Sequence, residues 1–267
     1  MMYSRSGNNR RGVVLQERDR RLLQELALMR IIDREQAKIV SGFGSTTRAN
    51  ARLLALARTG LLRRFFLGTT VGARKALYAL SRKGAELVSV PYRGPRLRNN
   101  ETLVANSFVH HQLAINQIYC VLKSSNASIP GITIGRWISF YEPLTPQLRL
   151  IPDGYFELET PTGVLACFVE VDLGHEGTKV WKEKTRNYLQ LAMSGHYEHR
   201  FSHSRFRVLT IANSDRRLTW IRRVVRASTE KLFWFTTIES VRSKGLFAPV
   251  WFRPNGEEPQ SLLSPSS

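Results

Sequence analysis

IPDGYFEL, residues 151–158, and CFVEVDLG, residues 167–174, decide how this chain folds. Each reads as an apolar strand bounded by turn-forming residues. Each also carries acids where a buried strand normally excludes them: Asp153 in the first, Glu170 and Asp172 in the second. Alternate residues of a strand share a face, so Glu170 and Asp172 are expected to project together. Adjacent carboxylates repel one another, so a cation is expected between them.

The flanking sequence extends the pattern on both sides. GITIGRWISF (131–140) reads as a preceding strand. Before it, residues 102–123 form a helix whose apolar stripe runs Val104, Phe108, His111, Ile115, Ile118 and Leu122. A histidine on such a stripe is more often a hydrogen-bonded core residue than a catalyst, yet its place before the acidic strands adds His111 to the catalytic candidates. After the strands a helix begins near Thr178, and Trp181, Lys184, Tyr188 and Leu191 share one of its faces. Lys184 therefore points into the protein, where a lysine needs a partner, and the strand acids can supply one. Lys179 and Lys182 lie off that stripe, as solvated or phosphate-contacting residues. Helix, strand meander with acids, helix is an order found in metal-dependent phosphodiesterases. There carboxylates hold Mg²⁺ or Mn²⁺, which prefer hard oxygen ligands. Asp153, Glu170 and Asp172 are the expected metal ligands, with Lys184 beside them. The alternative is a plain salt bridge from Lys184 in a site that does no chemistry.

The first hundred residues read differently. ERDRRLLQELALMRII (17–32) spaces Leu22, Leu23, Leu26, Met29 and Ile32 as an amphipathic helix. Asp33 then caps a short second helix, and Ser45 or Thr46 caps a third, with Gly60 just past its end. LLRRFFL and ALYALS are strands joined by the basic hairpin GTTVGARK, and Ser81 starts a closing helix. Three helices followed by a hairpin are the order of a winged helix. In that fold Arg48, Asn50, Arg52 and Arg58 of the third helix face the major groove and Arg74 and Lys75 of the wing touch the backbone.

Charge supports a nucleic-acid partner. The 267 residues carry a formal +19, and residues 1–100 hold 21 basic against 6 acidic residues. A membrane surface fits less well, because these charges are not set along one amphipathic helix. MMYSRSGNNRRG at the start is polar, and no apolar run approaches the roughly 18 residues of a membrane helix, so a cytoplasmic protein with no membrane partner is expected. Cys120 and Cys167 lie in apolar runs and read as buried hydrophobes. His196, His199 and His203 follow a helix-ending Gly195, which leaves their spacing without one face, and no cysteine joins them as a zinc ligand. FRVLTIA (206–212) reads as a buried strand, and SDRRLTWIRRVVRA (214–227) as a capped helix whose Arg216, Arg217, Arg222, Arg223 and Arg226 form a solvated or backbone-contacting face. GTTVGARK lacks the G-K-[ST] of a phosphate loop, and VHHQ lacks the spacing of a tyrosine relaxase's metal-binding histidines.

HQLAIN (111–116), PDG (152–154), EVDLG (170–174) and KTRNY (184–188) resemble the replication-relaxation family, itself similar to MobC-type plasmid relaxases and the PD-(D/E)XK nucleases. The resemblance takes in most of the chain. It implies a metal-dependent DNA-nicking enzyme of a mobile element, acting at an origin, with Asp153 and Glu170 as ligands. It also implies double-stranded DNA, and further proteins of a DNA-processing complex, as partners. One departure matters: the superfamily has E-x-K where this chain has Glu170-Val171-Asp172. Lys184 must then supply the amine, or the domain is a non-catalytic DNA-binding regulator. The expected fold is α+β. A flexible basic segment (1–16) leads to a winged helix-turn-helix (17–90) and a linker (91–101). A PD-(D/E)XK-like α/β domain with a central mixed sheet (102–254) and a disordered tail (255–267) follow.

Overall fold

The computed structural model describes residues 13–68, 74–93, 106–125 and 129–264. The chain divides into two compact units, Met1–Asn106 and Ser107–Ser267. Most of the expected flexible start and linker, and the expected wing tip between Gly68 and Arg74, lie outside the described residues.

The first unit contains α1 (Glu17–Met29), β1 (Ile31–Asp33), α2 (Arg34–Ser41), α3 (Thr46–Arg58), β2 (Leu62–Gly68), β3 (Arg74–Leu80) and α4 (Arg82–Leu87). That is the order the winged-helix reading expects, with one addition: β1 pairs antiparallel with β3, making a sheet of order β1-β3-β2. The helices start where short polar side chains can accept from free first-turn amides. Asp33 accepts from Gln36 N, Ser45 from Arg48 N and Ser81 from Gly84 N. Leu22, Leu23 and Leu26 of α1 and Leu53 and Leu56 of α3 are buried.

The second unit runs α5 (Asn106–Ser125), β4 (Thr133–Ile138), β5 (Gly154–Thr160), β6 (Gly163–Asp172), α6 (Thr178–Met193), α7 (His196–Phe201), β7 (Arg207–Ala212), α8 (Asp215–Arg226), β8 (Phe233–Thr237) and α9 (Ile238–Lys244). Its sheet has the order β4-β5-β6-β7-β8; the first three strands form an antiparallel meander, and β7 and β8 add in parallel. Parallel neighbours need a crossover, and α6 and α8 supply them. One apolar layer buries Trp181, Tyr188 and Leu191 of α6 with Leu218, Ile221 and Val225 of α8. The opposite layer buries Ile115, Ile118 and Leu122 of α5 with Val241 of α9. The sheet is therefore sandwiched, which explains why β6 is buried through seven residues to Asp172. Among the described residues no helix is long and apolar enough to cross a membrane.

One expectation is overturned. The tail is packed as far as residue 264: Gln260 bridges Trp251, Leu262 is 1% exposed, and Arg207 donates to the Leu262 carbonyl. Its polar composition hid two leucines that complete the layer beneath α9.

Candidate functional site

Asp153 stands just before β5, and two bonds stitch it to β6. Its amide donates to the Val169 carbonyl at 3.1 Å, and its Oδ2 accepts from Val171 N at 2.7 Å. The glycine that follows is needed for packing: a Cβ on Gly154 would stand 2.7 Å from the Trp137 ring. His111 of α5 reaches the same place. Its Nε2 lies 2.9 Å from the Val171 carbonyl and 3.3 Å from Asp153 Oδ2. Burial alone would lower the imidazole pKa, but the bond to Asp153 and its charge outweigh it and raise it to about 9.

Glu170 is completely buried on β6. Its Oε2 accepts from Lys184 Nζ at 2.8 Å and its Oε1 from the Tyr188 hydroxyl at 2.6 Å. Lys184 also donates to both oxygens of Glu176, at 2.7 and 2.8 Å. Burial pushes the Glu170 carboxyl up to about 7, against the opposing pull of Lys184. Burial works against the charge on Lys184, but Glu170, Asp153 and Glu176 raise its pKa above the ordinary lysine value. The amine is thus held protonated among acids. Helical spacing carried it there: Trp181, Tyr188 and Leu191, on the same face, are all buried.

Asp172 does not join this group. It does turn toward the α6 layer as Glu170 does, but four donors saturate it: Gly174 N at 2.6 Å, Trp181 Nε1 at 2.7 Å, and Arg217 through Nε and an Nη at 2.7 Å each. Burial would raise its pKa; these donors bring the net value below the usual carboxylate range. With every strong acceptor direction taken, Asp172 is a clamp between β6 and α8 and is not offered to a metal ion. Among the described residues no group of three His, Cys, Asp or Glu side chains is placed to hold a metal. Of the residues the sequence offered, Asp153, Glu170 and Lys184 remain together, and Glu176 joins them on the amine.

Three participants escaped the sequence reading. Glu176 lies in the loop before α6, where no periodicity speaks for it. Tyr188 was visible as an inward residue, but not as a donor to Glu170. Arg217 is neither solvated nor DNA-backbone-contacting as expected: it lies four residues before the buried Ile221 and so shares the inward face of α8. Arg222 also turns inward, to the carbonyls of Arg253 and Gly256.

In the first unit, Arg48, Asn50, Arg58, Arg74 and Lys75 are exposed. Lys75 pairs with Asp33 at the start of α2. Arg52 is not available to a groove: it pairs with the buried Asp19 of α1 and donates to the Val14 carbonyl. It lies between Ala49 and Leu56 on the buried face of α3, which explains the diversion. A cleft of about 450 Å³ between α3, the start of α2 and the hairpin is lined by Asn50, Leu54, Arg64, Arg74 and Tyr78, among others.

A helix-and-hairpin unit followed by a sandwiched mixed sheet, with acids at the end of its central strand, defines a two-unit α+β protein. The chain belongs to the replication-relaxation family, whose model matches residues 16–203. The match spans the first unit and Asp153, Glu170, Lys184 and Tyr188, and membership points to a role in replication or relaxation of plasmid or other mobile DNA. No curated protein and no solved structure matches the chain.

Proposed function

We propose that the chain binds double-stranded DNA of a mobile element through a winged helix in its first unit and nicks one strand at Asp153, Glu170 and Lys184. One observation carries the reading: Lys184 Nζ, arriving from α6, bonds Glu170 at 2.8 Å and so supplies the amine that Glu170-Val171-Asp172 lacks on the strand. The acids suit Mg²⁺ or Mn²⁺. Both offer hard oxygens, and among the described residues the bonds to the Asp153 carboxylate all fall on Oδ2. Two carboxylates with water and a substrate phosphate are an ordinary Mg²⁺ environment. Bound there, the ion would polarise the scissile phosphate and make its water a better nucleophile. Lys184 holds Glu170 in place and adds positive charge where a phosphate approaches. His111 positions Asp153 from the α5 side, and being protonated at neutral pH it can give a proton but not take one. Arg48, Asn50 and Arg58 on α3, with Arg74 and Lys75 on the hairpin, supply the DNA contacts.

A second reading has its own observation. Every acid of the constellation already has an internal cation or donor, with Arg217 on Asp172, His111 at Asp153 and Lys184 on Glu170. The protein then binds DNA and recruits other proteins of a DNA-processing complex without cutting. Incubation of supercoiled DNA carrying the element's origin with protein and Mn²⁺ or Mg²⁺ separates the two. Conversion to open circles, lost in Asp153→Ala while DNA affinity is kept, is expected. Intact supercoils with wild-type protein under both metals would establish the second reading.

A further inference from the structure

Helices α6 and α8 lie in one layer and pack against each other. Their only acids are Glu183 and Asp215, against nine lysines and arginines. Three of those cations turn inward: Lys184 to Glu170 and Glu176, Arg217 to Asp172, and Arg222 to the backbone of the tail. The other six are exposed: Lys179, Lys182 and Arg186 on α6, and Arg216, Arg223 and Arg226 on α8. Their spacing sets each trio on one face of its helix. Among the described residues none of the six forms an ion pair.

We propose that this twin-helix face is a second DNA contact, which seats duplex phosphates beside the Asp153–Glu170–Lys184 site; the proposal rests on the DNA reading above. The site end of the track is fixed by the chain itself. Arg216 adjoins Arg217, which clamps Asp172 and also donates to the Glu176 carbonyl. From Arg216 to Arg226 the helix rises about 15 Å, the axial length of about four phosphates of one strand. Phosphate suits the face better than protein does, because the core of a protein interface is depleted of charged residues, whereas unpaired cations at helical spacing neutralise phosphates and release counterions.

The test is the salt dependence of binding of the full-length protein to a labelled duplex of arbitrary sequence, followed by fluorescence anisotropy. The triple variant Arg216→Ala, Arg223→Ala, Arg226→Ala is expected to flatten the log Kd against log salt slope by roughly two to three, with a matching loss of affinity at low salt. The triple arginine-to-lysine variant keeps the charge and should keep the slope. Alanine and wild-type proteins with equal slopes and affinities would overturn the proposal and leave the first unit as the DNA contact. A loss shared by the lysine variant would overturn it too, since the arginines would then be acting through packing. Wild-type protein that binds no duplex removes the DNA reading as well as this extension of it.

Discussion

Asp153, Glu170 and Asp172 look equivalent in the sequence, and the structure gives them different work. Glu170 is buried against Lys184 and Tyr188, Asp153 sits at a strand entry beside His111, and Asp172 is saturated by Arg217 and its neighbours. The strand's two-residue period correctly sends Glu170 and Asp172 toward one helix layer. It says nothing about which cation each will meet. Removing one partner of a buried pair strands the other charge away from water. Asp172→Asn is therefore expected to destabilise the second unit by about 3–5 kcal/mol, read from urea unfolding. A cost within about 0.5 kcal/mol, as for an ordinary surface substitution, would show that Arg217 is not committed to this acid.

At the scale of elements, local signals read well. The caps at Asp33, Ser45, Ser81 and Ser214 and the stripe on α6 were all legible, because caps and helical periodicity are properties of a few consecutive residues. The short strand β1 was not legible, since its three residues pair only with a strand more than forty positions away. Nor was the tie between α1 and α3, where Arg52 reaches back to Asp19. Burial raises the Asp19 pKa, but the bonds from Arg52 and Gln16 overcome it and the net value is lowered. An acid depressed in the folded state contributes stability that is present above its unfolded pKa and is lost as pH falls through the folded value. The stability gap between wild type and Asp19→Asn should therefore hold steady from neutral pH down to about 5 and shrink below about 4, measured by thermal unfolding across a pH series. A gap unchanged at the acid end would mean that Asp19 is not ionised in the pair.

For the whole molecule, the tail marks where composition misleads. NGEEPQSLLSPSS is polar enough to read as loose, yet Leu262 fills the layer formed by α5, α9 and the sheet. Leu262→Ala should cost about 2–5 kcal/mol of second-unit stability, the usual range for a buried leucine, and a variant as stable as wild type would return the tail to the loose state. The sequence alone determined the helices other than α7 and α9, the strand meander, the inward lysine of α6 and the excess of positive charge in the first hundred residues. Those features depend on spacing within single elements and on composition. Only the tertiary structure decided that Arg217 would take Asp172, that Arg52 would pair with Asp19, that Glu176 would join Lys184, and that Arg222 would turn in to the backbone of the tail. Such pairings depend on distances between elements far apart in the chain, and burial strengthens whichever partner happens to be within reach.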